Sequence, residues 1–111
     1  MINEVVLIGS NTLGGSDEKL GLILMTNFIR LLGQRAEVPK FIILWNAGVK
    51  LVVEGADTLE FLKVLQDRGA NIISCRTCVE YFDIENQIAA GKIDGMIRIQ
   101  DVLANHSVLT V

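Results

Sequence analysis

The sequence predicts an α/β domain in which helices cover both faces of a five-stranded parallel sheet. Two observations carry that prediction. Short runs of β-branched and aliphatic residues, such as Glu4-Val5-Val6-Leu7-Ile8 and Lys40-Phe41-Ile42-Ile43-Leu44-Trp45, show no polar alternation, which marks strands covered on both sides. Segments with helical spacing separate these runs in regular order, and strand–helix alternation points to a parallel sheet. In such sheets the reacting groups gather beyond the carboxyl ends of the strands.

Each element has its own local signal. The first strand ends in a loop of turn formers, Gly9-Ser10-Asn11-Thr12-Leu13-Gly14-Gly15-Ser16. A helix over residues 17–34 follows, with Ser16 as N-cap and Asp17 and Glu18 in its first turn. Its apolar residues exceed one stripe. Leu20, Leu24, Phe28 and Leu31 line one face and Leu22, Met25, Ile29 and Leu32 a neighbouring one, so this helix is expected to form a subunit contact. Pro39 resets the chain before the second strand. The turn Asn46-Ala47-Gly48 leads into Val49-Lys50-Leu51-Val52-Val53, which periodicity leaves open between helical turns and an edge strand. Asp57 and Glu60 stand in capping-box spacing before a helix carrying Leu59, Phe61, Leu62 and Leu65, with Gly69 expected at C′. The third strand runs through Ala70-Asn71-Ile72-Ile73 into Cys75. Thr77 and Glu80 have capping-box spacing again, which would make Cys78 the first helical residue. One turn over residues 78–82 is expected before a second helix to Ala90, capped by Asp83 and closed by Gly91. Gly95-Met96-Ile97-Arg98-Ile99 reads as a fourth strand, residues 101–105 as a small helix, and Ser107-Val108-Leu109-Thr110-Val111 as the fifth strand.

Composition narrows the function classes. The 111 residues fit a single domain, residues 1–111, large enough to bury a core unaided, and half of them are apolar. A mean hydropathy of +0.44 in so short a chain suggests that a partner subunit covers some surface. A net charge of −3 with scattered Lys and Arg argues against nucleic acid or an anionic membrane as partner. Met1-Ile2-Asn3-Glu4 lacks a basic segment and does not read as a signal peptide, and the longest apolar stretch, residues 20–32, is too short to span a bilayer. The expected location is the cytoplasm. In a reducing compartment two cysteines fit redox or sulfur chemistry, or plain burial, better than a structural disulfide.

Both cysteines stand in one stretch, Ser74-Cys75-Arg76-Thr77-Cys78, between a strand and a helix. Free amides at the helix start and the positive end of its dipole would favour thiolate, with Arg76 adding a cation. The spacing suits three chemistries: a dithiol couple, a persulfide-bearing nucleophile with a resolving neighbour, and half of a zinc site. The zinc site lacks ligands, since His106 alone is available, so neither metal nor another cofactor is expected. Two small buried side chains are the plain alternative. The Gly-rich loop after the first strand lacks both the G-x-G-x-x-G spacing and a phosphate-loop lysine, so it reads first as a strand-to-helix turn whose amides could cradle an anion. Lys50, just past the Asn46 turn, would lie near the sulfur edge and could attract an anion.

The stretches Gly9-Ser10-Asn11-Thr12-Leu13-Gly14 with residues 17–21, Asn46-Ala47-Gly48-Val49-Lys50-Leu51 with residues 53–55, and residues 69–81 around Cys75-Arg76-Thr77-Cys78 occur in that order along nearly the whole chain. Together they resemble the DsrE/DsrF-like family, and within it the C-terminal domain of sulfurtransferase-like selenium metabolism proteins. The resemblance implies a three-layer α/β/α domain with flavodoxin-like layering that assembles as a trimer or hexamer. It also implies a sulfur-relay role, in which Cys75 carries sulfane sulfur as a persulfide and Cys78 assists or resolves it. Arg76, Thr77, Asn11, Asn46, Gly48 and Lys50 would be supporting residues, and a sulfur-carrier protein a possible partner. The family pattern has Gly where this chain has Arg76, and Gly again where it has Asp83. A non-catalytic oligomeric assembly module, with structural or regulatory cysteines, is the alternative from another class.

Overall fold

The unbroken apolar runs become strands β1 (Val5–Ile8), β2 (Phe41–Leu44) and β3 (Asn71–Cys75) in a computed structural model that describes residues 2–111. With β4 (Lys92–Asp94) and β5 (Val108–Thr110) they form one parallel sheet of five strands in the order β4-β3-β2-β1-β5. The register sets rows of side chains across it. Val6, Ile42 and Ile72 lie in one row, and Leu7, Ile43 and Ile73 in the next, on the opposite face.

Helices α1 (Glu18–Leu32) and α2 (Leu59–Asp67) cover the first of these faces, where Met25, Ile29, Leu62 and Leu65 join Val6, Ile42 and Ile72 in a dry cluster. Helix α4 (Met96–Ala104) crosses the other face and seals it with Ile99 and Val102 against Val5, Leu7, Ile43, Ile73 and Cys75. The short helix α3 (Arg76–Tyr81) packs on β3, β4 and a 3-10 helix, Asn46–Val52, which resolves the segment left open by periodicity. Two clusters of opposite outlook, sharing one sheet, are the three-layer arrangement expected from the alternation.

Helix α1 buries Gly21, Met25, Ile29 and Leu32 and leaves Leu20, Leu22, Ile23, Leu24 and Leu31 on the surface, with Ile23 58% exposed. Leu22 therefore lies outside the buried stripe to which its spacing assigned it. The C-terminal end of α1 is tied to α2 by Arg68, whose guanidinium donates to the carbonyls of Gly33, Arg35 and Ala36. Helix α2 ends as expected, with Gly69 at φ 104°, its N–H bonded to Gln66 and the N–H of Ala70 bonded to Leu65.

Several local expectations are corrected. Asp17, not Ser16, caps α1, its carboxylate accepting from the Leu20 N–H at 2.9 Å. Thr58 rather than Asp57 precedes α2, and its hydroxyl donates instead to the Leu51 carbonyl, so no capping box forms with Glu60. The second helix expected up to Ala90 does not form. A single 3-10 turn, Glu85–Gln87, leads to a bridge between Ile88 and Val53. The fourth strand lies earlier than expected, at Lys92–Asp94, because Gly95 caps a helix that takes up residues 96–104. The inward pair Ile99 and Val102 is spaced for a helix face, not a strand.

Asp83 explains the end of α3. It sits at φ 56°, with its N–H bonded to Glu80 and the N–H of Ile84 bonded to Val79, the pattern of a glycine-type helix stop. Asp83 closes one helix rather than starting another. Left-handed backbone is costly for a residue with a Cβ, by roughly 1 kcal/mol. Asp83→Gly should therefore raise the unfolding midpoint in thermal denaturation, and a lowered midpoint would contradict this account of the stop.

Candidate functional site

Cys75 ends β3, paired across the ladder with Asp94, and it is also the N-cap of α3. The chain turns from strand to helix at this one residue, so Arg76 is the first helical residue, Thr77 the second and Cys78 the third. The expected capping box at Thr77 and Glu80 does not form, and Thr77 is exposed within the first turn. This change of register matters for the sulfurs. A cap residue and the third helical residue face one another across a first turn, which brings the two thiols together.

The two sulfurs differ in surroundings. Cys75 is 1% exposed and points into the layer beneath α4, among Ile99, Val102 and Ile73. Cys78 is half-buried, and both thiols are free. The backbone N–H of Asn46 donates to Cys78 Sγ at 3.0 Å. Burial pushes the Cys78 thiol up. A hydrogen bond with Cys75 adds to the rise, the Asn46 N–H opposes it, and the charge of Cys75 raises it further. The expected depression by helix amides and a neighbouring cation is therefore overturned for Cys78.

The cations are engaged elsewhere. Arg76 turns toward the sheet edge and donates to the Ile93 carbonyl at 3.3 Å, beside the groove formed by Asp94, Met96, Ile97 and Arg98. Lys50 lies with its ammonium 4.4 Å from the centre of the Phe82 ring, a cation–π contact one turn past Cys78. Neither is among the causes of the shift at Cys78. His106 sits at the opposite, amino edge, where Nδ1 lies 2.7 Å from the Val102 carbonyl and the ring packs on Phe41.

The expected site residues therefore fall into three places. Cys75, Cys78 and Asn46 meet at the carboxyl end of β3, with Gly48 behind them. Arg76 and Thr77 face outward on α3. Asn11 and Lys50 line a cavity of about 370 Å³ between α1, the 3-10 helix and the start of α2, with Asn27, Asp57 and Thr58. Gly48 has a steric reason to be glycine: its N–H bonds the Trp45 carbonyl, and a Cβ there would run into the Ile8 carbonyl oxygen. That approach packs the 3-10 helix onto the end of β1 and so places Asn46.

Two features escaped the reading of residue types. The contribution of Asn46 comes through its backbone N–H, which no side-chain pattern displays. Ser74 is fully buried, and its hydroxyl has no hydrogen-bond partner among the described residues. A polar residue following the apolar pair Ile72-Ile73 within the strand was the available signal. Among the described residues no group of three or more His, Cys, Asp or Glu is placed to hold a metal ion, and no helix is long and apolar enough to cross a membrane.

No protein-family model matches the chain, and no curated protein matches it in sequence. Solved structures do match. The YchN protein from E. coli superposes with a TM-score of 0.68 at 19% identity, over 99% of this chain and 100% of that one. MTH1491 from Methanobacterium thermoautotrophicum, a protein of unknown function, gives a TM-score of 0.67 at 14% identity, with 96% of each chain covered. BT1422 from Bacteroides thetaiotaomicron, also of unknown function, gives 0.65 at 20% identity, covering 97% of this chain and 95% of that one. These likenesses establish the fold, a three-layer α/β/α arrangement of the DsrE/DsrF-like type.

The upward shift at Cys78 has a direct consequence, because the thiolate is the nucleophile. Alkylation of Cys78 in the native protein should climb with pH through a midpoint above that of the same cysteine in denaturant. Site-resolved mass spectrometry across pH measures both, and a native midpoint at or below the denatured one contradicts the burial account. The unfolded chain releases this proton first. The stability contributed by the protonated thiol is therefore whole below the unfolded thiol's pKa and is lost as pH rises through the folded value.

Proposed function

We propose that the protein is a sulfur-relay carrier that handles sulfane sulfur on the Cys75–Cys78 pair. The observation that carries this reading is the pairing of a half-buried thiol with a buried one at the carboxyl edge of the sheet. Cys78 is the accessible partner. As thiolate it attacks the terminal sulfur of a donor persulfide; the donor's S–S bond breaks, and the donor leaves as thiolate. Cys75, as thiolate, then takes the terminal sulfur from Cys78 by the same exchange and holds it under α4, away from solvent and competing thiols. Reversal through Cys78 delivers the sulfur to an acceptor thiolate. Each step exchanges one S–S bond for another, so no outside oxidant or reductant is required.

The resemblance to the DsrE/DsrF-like family supports this assignment, Cys75 standing at the position that carries the persulfide in its sulfur-relay members, and the likeness to the sulfurtransferase-like selenium metabolism proteins extends the proposal to selenium. A thiol-bearing sulfur-carrier protein is the natural donor or acceptor, and the reducing cytoplasm the compartment that keeps both cysteines free. The expected result is a single added sulfur atom in the intact mass after incubation with inorganic polysulfide. The adduct should be short-lived in Cys75→Ser and slow to form in Cys78→Ser. Wild-type protein that takes up no sulfur, or adducts unchanged in both variants, would sink the idea and favour the assembly-module reading.

The surface of α1 supports a homo-oligomer independently of the cysteines, and the family resemblance implies a trimer or hexamer. Leu20, Ile23, Leu24 and Leu31 are exposed along one 15-residue helix, an apolar face of the kind that subunits cover. Light scattering at micromolar concentration should give a mass above that of one chain, and Ile23→Glu should lower it while circular dichroism stays native. A wild-type protein that scatters as a monomer contradicts this assembly.

A further inference from the structure

Asn46 stands where β2 gives way to the 3-10 helix, and its backbone is left-handed, at φ 51°. Among residues with a Cβ, Asn is one of the few that accepts this conformation readily. Its own Oδ1 accepts from the Ala47 N–H at 2.8 Å, and the Gly48 N–H is taken by the Trp45 carbonyl at 3.0 Å. The Asn46 N–H is turned out of this local network and across to α3, where it meets Cys78 Sγ at 3.0 Å.

The charged side chains on the packed elements do not replace it. Lys50 of the 3-10 helix is held over Phe82, Arg76 of α3 donates to Ile93, and Asp94 of β4 accepts from the Gly95 N–H. Glu80 and Asp83 lie exposed on and just after α3, and Cys75 is the titratable neighbour that faces the sulfur. The Asn46 N–H donates to Cys78 Sγ at 3.0 Å, and a donor there favours the charged form.

We infer that Asn46 is a positioning residue for Cys78: its left-handed backbone, which few residues other than glycine accept, aims one amide at Sγ. An N–H binds an anionic sulfur more strongly than a neutral thiol. Each time Cys78 gives up sulfur, a thiolate is left at this position, and the amide stabilises it where burial does the opposite. The consequence for transfer rests on the sulfur-relay reading; the hydrogen bond and its effect on the thiol do not.

The test is the pH profile of Cys78 alkylation by iodoacetamide, read site by site, in wild type, Asn46→Gly and Asn46→Val. Glycine keeps the left-handed conformation and should retain the wild-type midpoint. Valine, β-branched and poorly suited to that conformation, should move the midpoint up and slow alkylation at neutral pH by roughly tenfold. A folded Asn46→Val protein whose profile superimposes on wild type overturns the inference. If that variant does not fold, the wild-type amide resonance of Asn46 decides: it should shift with pH at the midpoint of Cys78, and a flat titration overturns the inference equally. Uptake of sulfur by the wild type is scored separately. Protein that takes none yet shows the Asn46-dependent profile refutes the relay and leaves this inference standing.

Discussion

The whole arrangement depends on three strands that are buried on both faces. Apart from Asn71 at the start of β3 and the buried Ser74, β1, β2 and β3 are apolar, so both faces of the sheet must be covered, and connections between parallel strands have to cross over. Helices α1 and α2 take one face and α4 the other. With every strand running the same way, all strand ends that lead into helices lie at one edge. Cys75 is at that edge because it is the last residue of β3, and it is buried because α4 must pass over the row Leu7-Ile43-Ile73 to reach β5 beside β1. One constraint thus supplies both the location and the burial of the inner sulfur.

The outer sulfur owes its environment to a different contact, the packing of the 3-10 helix against the end of β1. Gly48 lets that helix approach the Ile8 carbonyl, and the approach sets Asn46 opposite Cys78. Burial and the neighbouring thiol hold the Cys78 proton on, while one backbone amide draws it off. The balance falls on the protonated side. For the proposed relay this has a use, since a thiol with a higher pKa is the stronger nucleophile once deprotonated. The open groove beside Arg76, with Met96 and Ile97 on its surface, lies off the same sheet edge and is a separate feature from the cavity under Lys50.

Much of the fold was legible because its signals are local. Continuous runs such as Phe41-Ile42-Ile43-Leu44 mark doubly covered strands wherever they occur, and Gly69 after Leu65 marks a helix stop. Local signals failed where two structures compete for the same residues. Gly95-Met96-Ile97-Arg98-Ile99 has strand composition, yet burial of Ile99 with Val102 beneath the sheet favours a helix. Thr77 and Glu80 have capping spacing, but β3 pairs as far as Cys75 and the chain turns there, so the cap falls two residues earlier. Asp83 was legible as a cap residue; that it stops a helix instead follows from a left-handed φ that composition does not report.

Taken alone, the sequence determined the strand–helix alternation, the parallel sheet and the joint placement of both cysteines at its carboxyl edge. All of these follow from hydrophobic periodicity and chain order. The tertiary structure decided which sulfur is sheltered, where Arg76 and Lys50 point, and what bonds to Cys78. Asn46 and Cys78 are 32 positions apart, and the group that acts is a backbone amide common to every residue but proline. Its direction comes from one left-handed turn and one close approach of glycine to β1, and neither is written in the identity of the side chain that carries the chemistry.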